Sequence, residues 1–266
     1  MLRDITIGQY YPADSVIHRL DPRVKLMGAL IFVVSVFLFE NIIGFAVITV
    51  FLIGVILLTK VPFKFMVRGL KAILILLLLT SMFGLFFTPG QPLFEWKFIK
   101  ITDKGVENTL FMIVRLSYLV LGTSIMTLTT TPTRLTDGME KGLHWMTFLK
   151  VPVHDVAMMM SIALRFIPIL VEETNKIMKA QMARGADFES GNIFTKAKNL
   201  VPLLVPLFVS AWRRATELAM AMEARCYNGG AGRTKMKPLV YAKRDFFAYL
   251  ILYGYLGGLI ALKIIL

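Results

Sequence analysis

The chain has 266 residues, of which 56% are hydrophobic and only 18% are charged, and its mean hydropathy is +0.68. Soluble domains carry about 25% charged residues, so this composition excludes an ordinary cytosolic, disordered or fibrous protein and indicates a membrane protein. The single cysteine, Cys226, excludes a disulfide scaffold and any multi-cysteine metal site. We assign the net charge of +13 to cytoplasmic loops of a membrane protein and predict no nucleic-acid partner.

Five apolar segments approach the length of a membrane-spanning helix, which is about 17–25 residues. Polar or proline-containing breaks separate the first four of them near residues 40–41, 60–64 and 88–92. The five predicted spans cover residues 23–39, 42–59, 70–87, 106–128 and 246–266.

The distribution of positive charge predicts the orientation. With the N-terminus in the cytoplasm, 25 of the 30 lysines and arginines lie on the cytoplasmic side, as the positive-inside rule requires. Seventeen of them fall between residues 130 and 245. Five spans then put the C-terminus outside the cell membrane.

Residues 130–245 contain two further apolar stretches, Val156–Val171 and Leu200–Trp212, which we do not expect to span. Arg165 lies inside the first, and a crossing would move a basic loop to the outer side. Helices of about 10–30 residues fit between the breaks of this region. Those breaks are Thr131–Thr133, Val151–Pro152, Gly185–Asn192 and Gly229–Lys237.

The predicted fold is therefore an all-α membrane protein. It has about five transmembrane helices and a cytoplasmic helical domain inserted before the last one. Residues 1–129 hold the first four helices, residues 130–245 form the cytoplasmic domain, and residues 246–266 form the last span.

The sequence contains no recognisable catalytic motif. It lacks a glycine-rich phosphate loop, a His-Glu-x-x-His pair and a Gly-x-Ser-x-Gly turn, so no catalytic or metal-binding residue is predicted. The histidines, His18, His144 and His154, lie outside the spans without ligand spacing. Arg115 is the one charge far from both ends of a predicted span, where it either faces a pore or another subunit, or lies in the outer half and snorkels or bonds a loop carbonyl.

Two sets of residues are candidates for packing surfaces. Gly254 and Gly258 in the last span let a helix approach closely, and we expect that helix to belong to this chain rather than to a partner. Met158, Met159 and Met160 in the cytoplasmic domain either fill a core between helices or form a surface that adapts to a changing partner.

One six-residue pattern occurs twice in the cytoplasmic domain, each time at the end of a helical segment. Each copy reads Ala-x-x-Ala-Arg-small, and a glycine follows closely, which is the usual left-handed helix stop. An arginine there either complements the negative helix end or bonds carboxylates in a groove of a partner with its planar fork. The copies are Ala180-Gln181-Met182-Ala183-Arg184-Gly185 and Ala221-Met222-Glu223-Ala224-Arg225-Cys226.

Two such arginines require two similar receptors, as a pair of ATPase subunits would offer. Together with an N-terminal segment, His18-Arg19-Leu20-Asp21-Pro22-Arg23-Val24-Lys25-Leu26, they make the sequence resemble the transmembrane T component of energy-coupling-factor transporters. The order of spans is similar too, and the resemblance covers essentially the whole chain. Cys226 stands where that family also has Gly or Ser, so a small residue is kept.

This resemblance implies a non-catalytic subunit of an ABC-type importer for a vitamin or other micronutrient. Its partners would be two ABC-type ATPases, one substrate-binding S component or several interchangeable ones, and the lipid bilayer. The chain would bind no cofactor itself, and its ATPases would use ATP and Mg. Ala183, Arg184, Gly185, Ala224, Arg225 and Cys226 would engage the ATPases. The alternatives from other classes are a multi-pass membrane enzyme and an independent secondary carrier.

Overall fold

The computed structural model describes residues 10–39, 41–89, 92–96, 99–188, 192–229, 236 and 238–265. Eight α-helices account for most of them. They are α1 (Pro22–Leu38), α2 (Ile42–Thr59), α3 (Phe63–Phe87), α4 (Asp103–Thr129), α5 (Pro132–Gly142), α6 (Val153–Ala183), α7 (Ile193–Ala224) and α8 (Lys243–Ile265). A 3₁₀ turn, His144–Leu149, precedes α6. The all-α prediction is confirmed. Of the breaks predicted in the inserted region, Thr131–Thr133 lies at the start of α5, Val151–Pro152 directly precedes α6, and the described residues of Gly185–Asn192 lie between α6 and α7. The break Gly229–Lys237 lies largely outside the described residues.

A short antiparallel hairpin is the one pair of β-strands among the described residues. Strands β1 (Pro92–Trp96) and β2 (Ile99–Thr102) pair with a register that joins Trp96 to Ile99 and Phe94 to Ile101. The sequence predicts only a connection between the third and fourth spans there. Thr102, the last residue of β2, then caps α4 by accepting a hydrogen bond from the backbone N–H of Gly105 at 3.1 Å.

Residues 8–141 and 239–266 form one compact unit, which we call the bundle. Helices α1, α2, α3, α4 and α8 pack in it around a core in which Val36, Ile48, Met66 and Leu259 are fully buried. Helix α5 belongs to it as well, because Gly138 leaves room for Pro22: a Cβ at residue 138 would lie 2.9 Å from that ring. The compact unit thus runs past the predicted boundary at residue 129.

Many of the apolar side chains of the bundle face outward. Ile42, Val50, Leu57, Ile75 and Ile251 are each more than 60% exposed. Helices α2, α4 and α8 are long and apolar enough to cross a membrane, and so is α3 when its segments Phe63–Lys71 and Ile73–Phe86, which meet at 58°, are counted together. These surfaces have the character of lipid-facing surfaces.

The predicted spans correspond to α1, α2, the second segment of α3, α4 and α8. Helix α1, with 17 residues, has the minimum length of a span. Helix α6 is also long and apolar enough to cross a membrane, although the charge distribution predicts that Val156–Val171 does not span.

Arg115 bonds a carbonyl, which is one of the two roles predicted for it. Its Nη2 donates to the carbonyl oxygen of Phe39, the C-cap of α1, at 3.0 Å. Its guanidinium also lies near the rings of Phe37 and Phe45. Arg115 therefore joins α4 to the end of α1.

The glycines of α8 do not pack as expected. A Cβ added at Gly254, Gly257 or Gly258 would meet no heavy atom of the described chain within 4 Å. The expectation that Gly254 and Gly258 receive another helix of this chain is therefore wrong for the described residues. The glycine face is open to lipid or to a partner.

Candidate functional site: the two arginine helix ends

Helices α6 and α7 form the second compact unit, residues 142–238, and carry both copies of the repeated pattern. They have 31 and 32 residues, which makes each about 46–48 Å long at 1.5 Å per residue. They run antiparallel, since Gln181 of α6 contacts Pro202 of α7 and Glu173 contacts Arg214. The paired-helix unit thus presents its two helix C-termini far apart.

Both patterns end in the same backbone structure. After α6, the N–H of Gly185 donates to the carbonyl of Met182 and the N–H of Ala186 donates to that of Gln181, both at 3.0 Å. This pair of bonds is the Schellman motif, in which a residue in the left-handed region closes the helix. Gly185 is that residue, with φ of +89°, and Arg184 is the C-cap. The predicted glycine stop is confirmed here.

The second helix end repeats these bonds at the corresponding residues. The N–H of Cys226 donates to the carbonyl of Glu223 at 2.8 Å, and the N–H of Tyr227 donates to that of Met222 at 3.0 Å. The left-handed residue is Cys226, with φ of 54°, and not a glycine. The prediction that a glycine after the motif ends this helix is therefore wrong, since Cys226 has that role.

The six residues of the two motifs are all exposed: Ala183, Arg184, Gly185, Ala224, Arg225 and Cys226. Neither guanidinium has a hydrogen-bond or ion-pair partner within the described part of the chain. Small neighbours flank both arginines, so nothing in the helix end shields them. Each helix C-terminus also carries partial negative charge, which the adjacent cation complements.

The distance between the two ends follows from the antiparallel pairing. Arg184 lies within one helical turn of Gln181, whose Nε2 donates to the carbonyl of Pro202 at 3.3 Å. From Pro202 to Ala224, helix α7 is about 33 Å long at 1.5 Å per residue. The two arginines therefore stand on the order of 30 Å apart, too far to enter one groove.

The hydrogen bond between Gln181 and Pro202 has a local cause in the proline pattern of α7. Pro206 lies inside α7 and has no N–H, so the carbonyl four residues earlier, that of Pro202, loses its helical donor. The amide of Gln181 takes the place of that donor. The end of α6 is thereby attached to the proline-containing part of α7.

A second polar contact holds the pair together farther along. Arg214 of α7 donates to the carboxylate of Glu173 of α6, with 3.5 Å between Nη2 and Oε2. Apolar burial between the helices is slight: Val153 and Ala157 of α6 and Leu203 of α7 are the buried apolar residues found among those described.

The predicted methionine surface is largely open. Met159 and Met160 are 58% and 43% exposed, and Met158 is half-buried. Helix α7 adds an exposed apolar stripe with helical spacing. The stripe consists of Val201, Leu204, Val205, Phe208, Val209 and Trp212.

The N-terminal segment that contributed to the resemblance lies in the bundle, where its polar residues join helix ends. Asp21 caps α1 by accepting from the N–H of Arg23 at 2.9 Å. Arg23 bonds the carbonyl of Leu239 and stacks over the ring of Tyr241, and Lys25 bonds the carbonyl of Thr129 at 2.8 Å. This segment is therefore structural and fixes the starts of α1 and α8 beside the end of α4.

His18 is buried in the same junction. Its Nδ1 lies 2.7 Å from the hydroxyl of Ser15 and its Nε2 lies 3.0 Å from the carbonyl of Tyr11. Burial lowers the pKa of His18 below its ordinary value of 6.5. The neutral ring, donating from Nε2 and accepting at Nδ1, satisfies both partners.

Comparison with known proteins shows similarity over most of the chain. Residues 13–236 match the family CbiQ, described as cobalt transport protein. The chain is 56% identical over 252 residues to the energy-coupling factor transporter transmembrane protein EcfT of Clostridium kluyveri, covering 94% of this chain and 93% of the relative. It is 51% identical over 246 residues to the protein of that name from Bacillus subtilis, with 92% and 93% covered. The Lactococcus lactis subsp. cremoris protein of the same name is 44% identical over 245 residues, with 92% of each chain covered.

Proposed function

We propose that this chain, which belongs to the CbiQ family and to the EcfT transmembrane proteins of energy-coupling factor transporters, couples two ATPases to a substrate-binding subunit. Family membership makes it a multi-pass transmembrane component of a transporter. The two ATPases, the S component and uptake of a vitamin or other micronutrient are the proposal. The chain itself is a non-catalytic subunit, and the ATPases bind ATP and Mg.

The observation that carries the proposal is the pair of matching helix ends. Arg184 and Arg225 have the same backbone position in the same motif, are both exposed, and stand on the order of 30 Å apart. Two equal anchors at that separation fit two equal receptors, as a dimer of ATPases provides. An arginine needed only for its own helix would not require an equivalent at a second helix end.

Arginine is suited to this docking because its planar guanidinium bonds a carboxylate with two parallel N–H donors. We propose that each ATPase offers carboxylates at the bottom of a groove that receives one helix end. Removing one partner of such a buried, hydrogen-bonded charge pair costs about 2–5 kcal/mol. At about 1.4 kcal/mol per tenfold, one arginine accounts for roughly 30- to 4,000-fold in docking affinity.

The exposed apolar surfaces support the proposal of a second kind of partner, the S component. Met159, Met160, the stripe on α7 and the face of Gly254 and Gly258 are exposed in the described part of the chain, and Met158 beside them is half-buried. We assign the methionine surface to the S component, because flexible thioether side chains adapt to more than one shape. Motion of α6 and α7, driven by the ATPases, would then reach the S component through this surface.

The proposed orientation puts the N-terminus and the paired-helix unit in the cytoplasm and the C-terminus outside. The excess of lysine and arginine in residues 130–245 supports it. Helix α6 in this arrangement is a coupling helix and not a span, since Arg165 and Pro168 lie inside its apolar stretch.

The test is nutrient uptake and ATPase co-purification for Arg184→Ala, Arg225→Ala and the double variant. We expect each single variant to lower uptake and the double variant to lose the ATPases, because both anchors are then absent. Arg184→Lys and Arg225→Lys should restore function only in part, since lysine lacks the planar fork.

The matched control is Arg165→Ala with Arg213→Ala, which removes two exposed arginines from the middle of the same helices. The control should keep the ATPases. If the double variant at residues 184 and 225 retains full uptake and normal ATPase association, the arginines are only helix-end cations.

A further inference from the structure

Three arginines from separate parts of the bundle line one cleft of about 520 Å³. Arg19 precedes α1, Arg134 lies in the first turn of α5, and Arg244 lies in the first turn of α8. Only Arg19 has an acidic partner among the described residues, the carboxylate of Asp14. Arg134 and Arg244 are exposed and make no side-chain hydrogen bond or ion pair within the described ranges. The cleft thus carries two positive charges, those of Arg134 and Arg244, that no carboxylate in it compensates.

A separate cavity of about 170 Å³ begins beside this cleft, and its walls are almost wholly apolar. An apolar cavity of about 150 Å³ in another protein stays dry and binds an apolar ligand of benzene size. The cavity therefore suits hydrocarbon and not water. Its walls come from the segment before α1 and from α1, α2, α4 and α8.

The cleft and the cavity share two backbone segments. Before α1, Arg19 lines the cleft, and its neighbour Leu20 lines the cavity. On α8, Arg244 lines the cleft, and Ala248 and Ile251, which lie one and two turns later on the same face, line the cavity. A basic region thus gives way to an apolar one over about 6–10 Å of helix at 1.5 Å per residue.

We propose that the cleft and the cavity together bind one anionic phospholipid. Arg134 and Arg244 hold its phosphate, and a segment of one acyl chain enters the apolar cavity. Basic pockets at the ends of transmembrane helices are suited to lipid head groups, because the anionic surface lies at that depth. An acidic protein segment would use the arginines but leave the apolar cavity empty, so the lipid accounts for more of the site.

The experiment is native mass spectrometry of the full-length chain in the assembly in which it is isolated, after delipidation in detergent. The probes are dioleoylphosphatidylglycerol, dioleoylphosphatidylcholine, dihexanoylphosphatidylglycerol and inorganic phosphate. We expect dioleoylphosphatidylglycerol to bind most tightly. The short-chain lipid should bind less tightly, and phosphate should compete only weakly, because neither fills the cavity.

The variant Arg134→Gln with Arg244→Gln should weaken phosphatidylglycerol binding by about 25-fold. An arginine near an anionic membrane surface contributes about 1 kcal/mol to binding, and the variant loses two of them. Since about 1.4 kcal/mol changes an affinity tenfold, the loss corresponds to about 25-fold. The matched control, Arg165→Gln with Arg213→Gln, removes the same charge from the paired-helix unit and should bind as the unchanged chain does. Both variants alter exposed side chains, so both should fold.

Three results would overturn the proposal. Equal affinity for the phosphatidylglycerol and phosphatidylcholine probes would remove the role of the arginines. Competition by inorganic phosphate as strong as that by the lipid would make the cleft a site for free phosphate. Loss of a partner subunit from the cleft variant, with phosphatidylglycerol affinity unchanged, would assign the cleft to a protein.

Discussion

At the scale of single residues, Arg184 and Arg225 owe their exposed positions to the residue that follows each of them. Gly185 and Cys226 adopt the left-handed conformation that ends the helix and turns the chain away. Glycine does this without a steric penalty, whereas other residues incur about 1–2 kcal/mol. The arginine and the glycine stop could be predicted from the pattern, but the left-handed cysteine could not, since its type does not favour that conformation.

This difference predicts opposite effects of two substitutions at the helix ends. Gly185→Ala should destabilise the end of α6 by about 1 kcal/mol, because a Cβ is strained at this φ. Cys226→Gly should stabilise the end of α7 by about 0.5–1 kcal/mol, since part of the relief is offset by a more flexible unfolded chain. Hydrogen exchange at residues 222–227 measures the second effect.

The control for that measurement is Cys226→Ala, which keeps the Cβ and should leave exchange nearly unchanged. Equal exchange in the alanine and glycine variants would show that backbone strain at residue 226 is not what limits the stability of this helix end.

His18 gives the bundle a dependence on pH. The folded state binds a proton at this ring less readily than the unfolded chain does, because burial lowers its pKa. The contribution of the neutral His18 ring to the free energy of unfolding should therefore be fully present above about pH 6.5 and should decline as the pH falls below that value. Thermal unfolding in detergent at several pH values between 8 and 5 would show the decline.

His18→Gln removes the titrating ring and keeps one donor and one acceptor. It should lower stability at neutral pH and flatten the decline towards acid. A variant whose stability falls with pH as steeply as that of the unchanged chain would place the titrating group elsewhere.

At the scale of elements, the starts of α1 and α8 are held together by one carboxylate. Asp245 is 1% exposed, and it accepts hydrogen bonds from the N–H of Asp21 at 2.9 Å and from that of Ala242 at 2.7 Å. It thus joins two segments more than two hundred residues apart in the chain. The helices themselves follow from apolar length and from prolines and glycines, but this long-range contact has no local sequence signal.

Asp245→Ala should destabilise the bundle by about 2–5 kcal/mol, because two backbone N–H groups lose their acceptor. Asp245→Asn should cost less, since its amide oxygen still accepts one of the bonds. The measurement is thermal or denaturant unfolding of the purified chain in detergent.

Lys243→Ala is the matched control, because Lys243 is exposed and lies two residues before Asp245. It should change the free energy of unfolding by no more than about 0.5 kcal/mol. If Asp245→Ala is as mild as the control, the carboxylate is not needed to hold the two helix starts together.

At the scale of the whole molecule, exposed apolar side chains occur in two settings. In the bundle they lie along helices that are long enough to span a membrane, as composition predicted. On α6 and α7 the exposed apolar side chains share their helices with charged residues. By length and composition alone, α6 could also be a membrane span. The proposal that α6 does not span, and that both arginine helix ends lie on the cytoplasmic side with the ATPases, depends on the distribution of positive charge.

The central claim, that each arginine helix end docks on an ATPase, can be tested at the one native cysteine. Cys226 is exposed and lies directly after Arg225. Its alkylation rate by a maleimide is compared in the intact transporter, in the transporter stripped of ATPases, and in the chain unfolded in detergent. Ala183→Cys in a Cys226→Ser background gives the same measurement at the other helix end, because Ala183 is exposed, adjoins Arg184 and already carries a Cβ. We expect slow labelling at both positions in the intact transporter and fast labelling once the ATPases are removed. Equally fast labelling with and without the ATPases at both positions would contradict it.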